Sequence, residues 1–254
     1  MPLHETISRA IRSVRGRGQP ALVAYLTAGF PTKESFAKNL AAIASVADVV
    51  EIGVPFSDPM ADGTTVQRSS RIALSQGVSL HWILDALAGI DTKPAPILLM
   101  TYFNPLLAFG IDRLAKSAAR AGVAGFIVPD LPYEECDELR AALSAEGIAL
   151  VQLVTPVTPN DRLAMLCNAS QGFVYAVTMT GTTGKQVEVP DEVLDYMDRV
   201  RKVAPVPVCA GFGIRNRAQV KALEAHVDGV VVGSALVEVL ERGEDPVAFL
   251  RSLR

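Results

Sequence analysis

The chain has 254 residues, half of them apolar and a fifth charged, with a formal net charge of −3. This composition supplies a large core and excludes a disordered chain. The slight acidity offers no general attraction to nucleic acid or to an anionic membrane surface.

The opening segment, 1–15, carries Ile7, Ile11 and Val14 at helical spacing and is expected to form a short surface helix leading into the fold. It lacks the unbroken apolar stretch of a secretory signal. No later run approaches the ~20 residues that a bilayer span requires. Cys136, Cys167 and Cys209 are odd in number and far apart, which argues for a reducing compartment and against a disulfide framework. A soluble, cytoplasmic protein is expected.

Short apolar runs rich in Val, Ile and Leu then recur at 21–26, 48–52, 97–100, 125–128, 149–153, 173–177, 206–209 and 229–232. They are continuous rather than alternating, as in parallel strands buried on both faces. Amphipathic stretches such as 111–121, 136–145 and 217–225 lie between them. Strand and helix alternating through eight runs predicts a closed parallel (β/α)8 TIM barrel, a single domain over 1–254. The interval between the second and third runs is the longest and holds two helical stretches, 65–75 and 80–88. An extra helix is therefore expected after strand two, at the end of the barrel where such folds place their active sites. An open doubly wound sheet is the competing fold. The turn after the first run, Thr27-Ala28-Gly29-Phe30-Pro31, does not match the glycine fingerprint that such a sheet carries.

Glu51 falls at the carboxyl end of the second run, and Asp62 lies on the following loop between Pro59 and Gly63. Two carboxyls in unlike surroundings can divide acid and base roles. Equally, Glu51 can be a hydrogen-bonded structural acid and Asp62 a helix cap. Near the end of the chain, Gly181 to Gly184, Gly211-Phe212-Gly213 and Gly233-Ser234 follow strands six, seven and eight. Glycines admit an anion close to backbone N–H groups. Ser234 is expected to cap a short helix over 235–240, whose amino end is partly positive. The loops after strands seven and eight are a common phosphate site in barrels. Lys185 and Arg215 stand only at the edges, so backbone amides are expected to hold the phosphate.

None of the seven lysines falls within or ends a predicted strand, which disfavours a Schiff-base aldolase. His4, His81 and His226 share no metal-like spacing with one another or with the cysteines. Carboxyl acid–base chemistry is the natural expectation. Asp130, between two prolines, is expected to fix its loop by accepting hydrogen bonds.

The run from Glu51 to Gly63, Glu-Ile-Gly-Val-Pro-Phe-Ser-Asp-Pro-Met-Ala-Asp-Gly, closely resembles the signature of the tryptophan synthase alpha subunit family. So do Thr101-Tyr-Phe-Asn-Pro105, Val128-Pro-Asp-Leu-Pro132, Ala210-Gly-Phe-Gly-Ile214 and the segment from Asp228 to Ser234, in the family's order along essentially the whole chain. The resemblance implies cleavage of indole-3-glycerol phosphate to indole and glyceraldehyde 3-phosphate, with indole passed to a beta subunit in an alpha2beta2 heterotetramer. It implies no cofactor on this chain, pyridoxal phosphate belonging to the beta partner. Glu51 matches the general acid–base at indole C3, and Asp62 the acid that accepts the indole N–H. Tyr102 and Tyr175 match substrate-pocket positions, as do Thr183 and Gly184 on a mobile lid and Phe212, Gly213, Gly233 and Ser234 around the phosphate. Tyr25 aligns with a further pocket position.

The loops after strands two and six are the expected partner contacts, with Pro55, Phe56 and Asp58 among them. Thr64, Thr182 and Phe103 depart from residues common in the family, which bears on loop dynamics and partner coupling more than on chemistry. The alternatives are a free-standing indole-releasing lyase, another phosphate-sugar barrel, and a silent barrel that only regulates a partner. Another phosphate-sugar barrel calls for metal-site histidines or a different acid pair, and a silent barrel has no need of both Glu51 and Asp62.

Overall fold

The computed structural model describes residues 1–90, 93–178, 189–211 and 213–254. The chain begins with α1 (Leu3–Arg15), β1 (Ala21–Thr27), α2 (Phe36–Ala44) and β2 (Val49–Gly53). Two helices, α3 (Thr64–Ser75) and α4 (Leu80–Ala88), precede β3 (Ile97–Met100), and two more, α5 (Phe103–Phe109) and α6 (Ile111–Arg120), precede β4 (Val123–Ile127). Next come α7 (Asp137–Ala145), β5 (Ala149–Val154), α8 (Asn160–Ala169) and β6 (Val174–Val177). The chain closes with α9 (Asp191–Val203), β7 (Val208–Gly211), α10 (Arg217–Leu223), β8 (Gly229–Val232), α11 (Ser234–Glu241) and α12 (Pro246–Ser252).

The strands form one closed barrel in the order β1 to β8, with β8 paired back onto β1 and every pairing parallel. This is the expected (β/α)8 barrel, with the extra helices at the amino terminus, after strand two and after strand eight in place. The strand boundaries shift by up to two residues where apolar loop residues blurred the ends. Helix α5 is a finding beyond the sequence reading. Pro105 masks it, yet a proline in the first turn of a helix sacrifices an N–H that has no intrahelical partner.

Two apolar layers follow from the pleat. One face of each strand packs outward on the helices, through residues such as Ala24, Ile52, Leu99 and Val230. The other fills the barrel interior with Val23, Val49, Leu98, Val151 and Cys209. The amino-terminal helix is not a surface helix, contrary to expectation. Ile7 and Ile11 are completely buried and Val14 nearly so, and all three join the interior cluster. A barrel has an open apolar end below its lowest layer of side chains, and the α1 stripe closes it. The opposite, carboxyl end is left free for the loops.

Candidate active site

Strand β2 sets Glu51 in register with Tyr25 on β1 and Leu98 on β3. Glu51 is the middle residue of the strand rather than its last, so it lies deeper than the sequence reading places it. Its residue exposure is 1%, and its Oε2 atom is buried without a hydrogen-bond partner among the described residues. Burial foremost, and then the nearby Asp62 charge, push its pKa up from 4.5 to about 8. A structural, hydrogen-bond-satisfied acid does not fit these facts. A pKa of about 8 favours the protonated carboxyl at neutral pH.

Asp62 sits on the loop between β2 and α3 and is half-buried. It does not cap α3, whose N-cap is Gly63. Its backbone carbonyl accepts a bond from Gln67 Nε2 at 2.8 Å, so the first turn of α3 anchors the loop. Burial raises the Asp62 pKa, and a hydrogen bond with the Tyr102 hydroxyl opposes that rise. Tyr102 also accepts from the Ala61 N–H at 2.9 Å and stacks on Phe56 with centroids 5.0 Å apart. Burial above all pushes the Tyr102 pKa up to about 12. Tyr102 is thus a clamp on the Asp62 loop. Asp130 accepts from the Phe103 N–H at 2.9 and 3.2 Å, fixing the loop after β4 to the start of α5 as expected.

Two tyrosines wall the pocket around Glu51. Burial raises the pKa of both Tyr25 and Tyr175, and the Glu51 charge adds to each rise, so both phenols stay neutral beside it. The two rings fit because glycines stand opposite. A Cβ on Gly53 would overlap the Tyr25 hydroxyl, and one on Gly211 would lie 2.5 Å from Tyr175 Cε1. Tyr25 continues into a buried hydroxyl chain, with Thr27 Oγ1 at 3.3 Å and Ser69 Oγ a further 2.7 Å on. Neither the glycine–tyrosine fits nor this chain was foreseen. Their one sequence signal is a glycine closing strands two and seven.

After β7, Gly213 has φ +70°, a left-handed conformation that suits glycine. Gly233 is the N-cap of α11. Ser234 is its first helical residue and makes no side-chain cap bond, which corrects the expected capping role. The backbone already stops the helix at Gly233, and the first N–H groups remain free of intrahelical partners. Arg215 is turned onto Glu238 with bonds of 2.8 and 2.9 Å, so its charge is spent within the protein. Thr183, Gly184 and Phe212, with Thr182 and Lys185, lie outside the described residues. The described residues hold no group of three His, Cys, Asp or Glu side chains able to bind a metal ion. Among them, no helix is long and apolar enough to cross a membrane.

Comparisons with known proteins give the chain its family. The family model described as tryptophan synthase alpha chain matches residues 11–251. The chain belongs to the tryptophan synthase alpha chain family. It is 44% identical over 248 residues to the tryptophan synthase alpha chain of Nitratidesulfovibrio vulgaris (strain DP4), covering 97% of this chain and 96% of that one. Against the tryptophan synthase alpha chain of Roseiflexus sp. (strain RS-1) the identity is 39% over 257 residues, covering 98% of each. Among solved structures, Mycobacterium tuberculosis tryptophan synthase in space group F222 superposes with a TM-score of 0.90 at 35% identity, over 97% of this chain and 96% of that one. Tryptophan synthase subunit alpha from Legionella pneumophila str. Paris superposes with 0.88 at 29% identity, over 100% and 97%. A member of this family is a lyase of tryptophan biosynthesis with a small-molecule substrate, and an alpha chain implies a beta-subunit partner.

Proposed function

We propose that the chain, acting as one domain, cleaves indole-3-glycerol phosphate to indole and glyceraldehyde 3-phosphate by carboxyl acid–base catalysis. The protonated Glu51 delivers its proton to indole C3, which turns the ring into an electron sink. Asp62, ionised, accepts the indole N–H and stabilises the positive charge that develops there. The Glu51 carboxylate left behind takes the proton of the adjacent side-chain hydroxyl. The carbon–carbon bond then breaks, its electron pair returns to the ring, and the hydroxyl carbon becomes the aldehyde. Glu51 ends protonated, ready for another turnover. The N–H groups around Gly213 and at the start of α11 hold the phosphate, and Tyr102 and Tyr175 bound the indole end.

The observation that carries this reading is Glu51 itself: buried, raised to about 8, and with an unsatisfied oxygen. Burying such a carboxyl costs stability, which a purely structural role leaves unexplained. In this reading the chain is cytoplasmic and forms an alpha2beta2 heterotetramer. Pyridoxal phosphate resides in the beta subunit and indole passes to it. Indole release from indole-3-glycerol phosphate tests the chemistry. Glu51→Gln is expected to lower turnover by ~10² to 10⁴, the usual worth of a positioned acid–base group. Equal rates for wild type and variant remove the assignment. The same assay with and without the beta subunit, alongside size exclusion, tests the partnership.

A further inference from the structure

Several parts of the proposed site converge on one side chain that the reaction does not use. Glu238 lies just over one turn into α11, the helix whose amino end carries Gly233 and Ser234. Its carboxylate accepts two bonds from Arg215, Nη1 at 2.8 Å and Nη2 at 2.9 Å. The Thr65 hydroxyl also donates to Glu238 Oε1, at 3.4 Å. One turn further along the same two helices, Arg68 grips Glu241 with two bonds of 2.7 Å.

Each end of this bridge reaches a substrate-facing loop. Arg215 follows Gly213 by two residues, and its backbone N–H is held by Gln219 Oε1 of α10 at 2.8 Å. Thr65 is the second residue of α3, three residues after Asp62, and Gln67 of the same turn holds the Asp62 carbonyl. A bidentate guanidinium–carboxylate pair constrains orientation as well as distance. Glu238 therefore links the turn after β7, the phosphate helix and the helix that anchors Asp62.

We propose that Glu238 is a positioning residue that couples phosphate binding at Gly213 and the start of α11 to the placement of Asp62 at the indole end. The proposal rests on the phosphate and indole assignments made above. Phosphate drawn onto the amino end of α11 fixes that helix, and Glu238 transmits its position to α3. The ion pair is partly solvated, with side-chain exposures of 37% for Arg215 and 24% for Glu238. Pairs of this kind contribute little to overall stability, so Glu238 can be altered with the fold kept.

The test measures the affinity of free indole with and without saturating inorganic phosphate, in wild type, Glu238→Gln and Glu238→Ala. Circular dichroism verifies the fold of each. In wild type, phosphate is expected to tighten indole binding by about 5-fold or more, the low end of ordinary site-to-site coupling. In Glu238→Ala the factor should fall toward 1 while phosphate alone binds within about 3-fold of wild type, and Glu238→Gln should restore part of the coupling. A merely structural role for Glu238 would weaken phosphate binding itself, which overturns the proposal. Coupling that survives Glu238→Ala, or a wild type that binds both ligands independently, also overturns it and leaves the catalytic reading standing. A wild type that binds neither ligand overturns both.

Discussion

The Tyr25 hydroxyl occupies the space in front of Gly53, where the Cβ of any other residue would stand. Gly53 pairs in register with Thr27 and stands two positions beyond Glu51, the register partner of Tyr25, so the contact runs diagonally across β1 and β2. Strand β2 therefore ends in glycine because its neighbour presents a ring there.

Gly53→Ala is accordingly expected to destabilise the fold by about 1–3 kcal/mol, the usual cost of overpacking a tight core. Adding Tyr25→Phe removes the atom in closest conflict and should recover part of that loss, although the phenylalanine alone forfeits the contact with Thr27. Urea denaturation of the two single variants and the double variant checks this. Additive losses would mean that the residues do not compete for space.

Glu51 makes stability depend on pH in a defined sense. Its folded pKa of about 8 lies above the ordinary 4.5, so the folded state binds more protons across that window. Below about 4.5 both states are protonated and nothing is lost. As pH rises toward about 8 the unfolded chain ionises first, so stability falls, and above 8 the cost is complete. Glu51→Gln lacks this titration. Its stability relative to wild type should rise between pH 5 and pH 8.5, by on the order of 1–3 kcal/mol. Parallel denaturation curves for both proteins at the two pH values would show that Glu51 titrates normally.

The same group sets the alkaline side of activity in the proposed reaction. The value of kcat/KM should decline above about pH 8 as Glu51 loses the proton it must donate. The acidic side belongs to Asp62, which must be ionised and whose pKa is itself raised by burial. Because the Tyr102 bond lowers that pKa, Tyr102→Phe should move the acidic limb to higher pH and leave the alkaline limb in place. A pH–rate profile unchanged in this variant would separate Tyr102 from Asp62.

Truncating the amino-terminal plug should cost stability without touching the chemistry. Ile11 is completely buried in the interior cluster, at the end of the barrel away from Glu51. Ile11→Ala is expected to lose about 2–4 kcal/mol, since a closed barrel end collapses poorly onto a cavity. Turnover measured well below the variant's Tm should stay near wild type, and a fall in kcat there would link α1 to the site.

The barrel was legible because its strands, buried on both faces, read as continuous apolar runs whatever their partners are. Glu51, Asp62 and the glycines near Gly213 and Gly233 were legible because they sit in compact local motifs. Glu51 lies one residue deeper than the predicted run places it, because Gly53 reads equally well as strand end or loop. Ser234 was misassigned because a serine before an apolar run resembles a cap, whereas the backbone at Gly233 already ends the turn. The α1 helix was read as a surface element because its apolar stripe does not reveal what it covers.

The sequence by itself determined the alternation of elements, the acids and glycines that reach the carboxyl end, and the family. These are local properties: side-chain polarity, periodicity and short motifs act within a few residues. Only the tertiary structure decided that Tyr102 clamps Asp62, that Gly53 and Gly211 yield to tyrosine rings, and that Arg215 spends its charge on Glu238. Those contacts join residues from different turns of the barrel, and barrel closure is what brings them together.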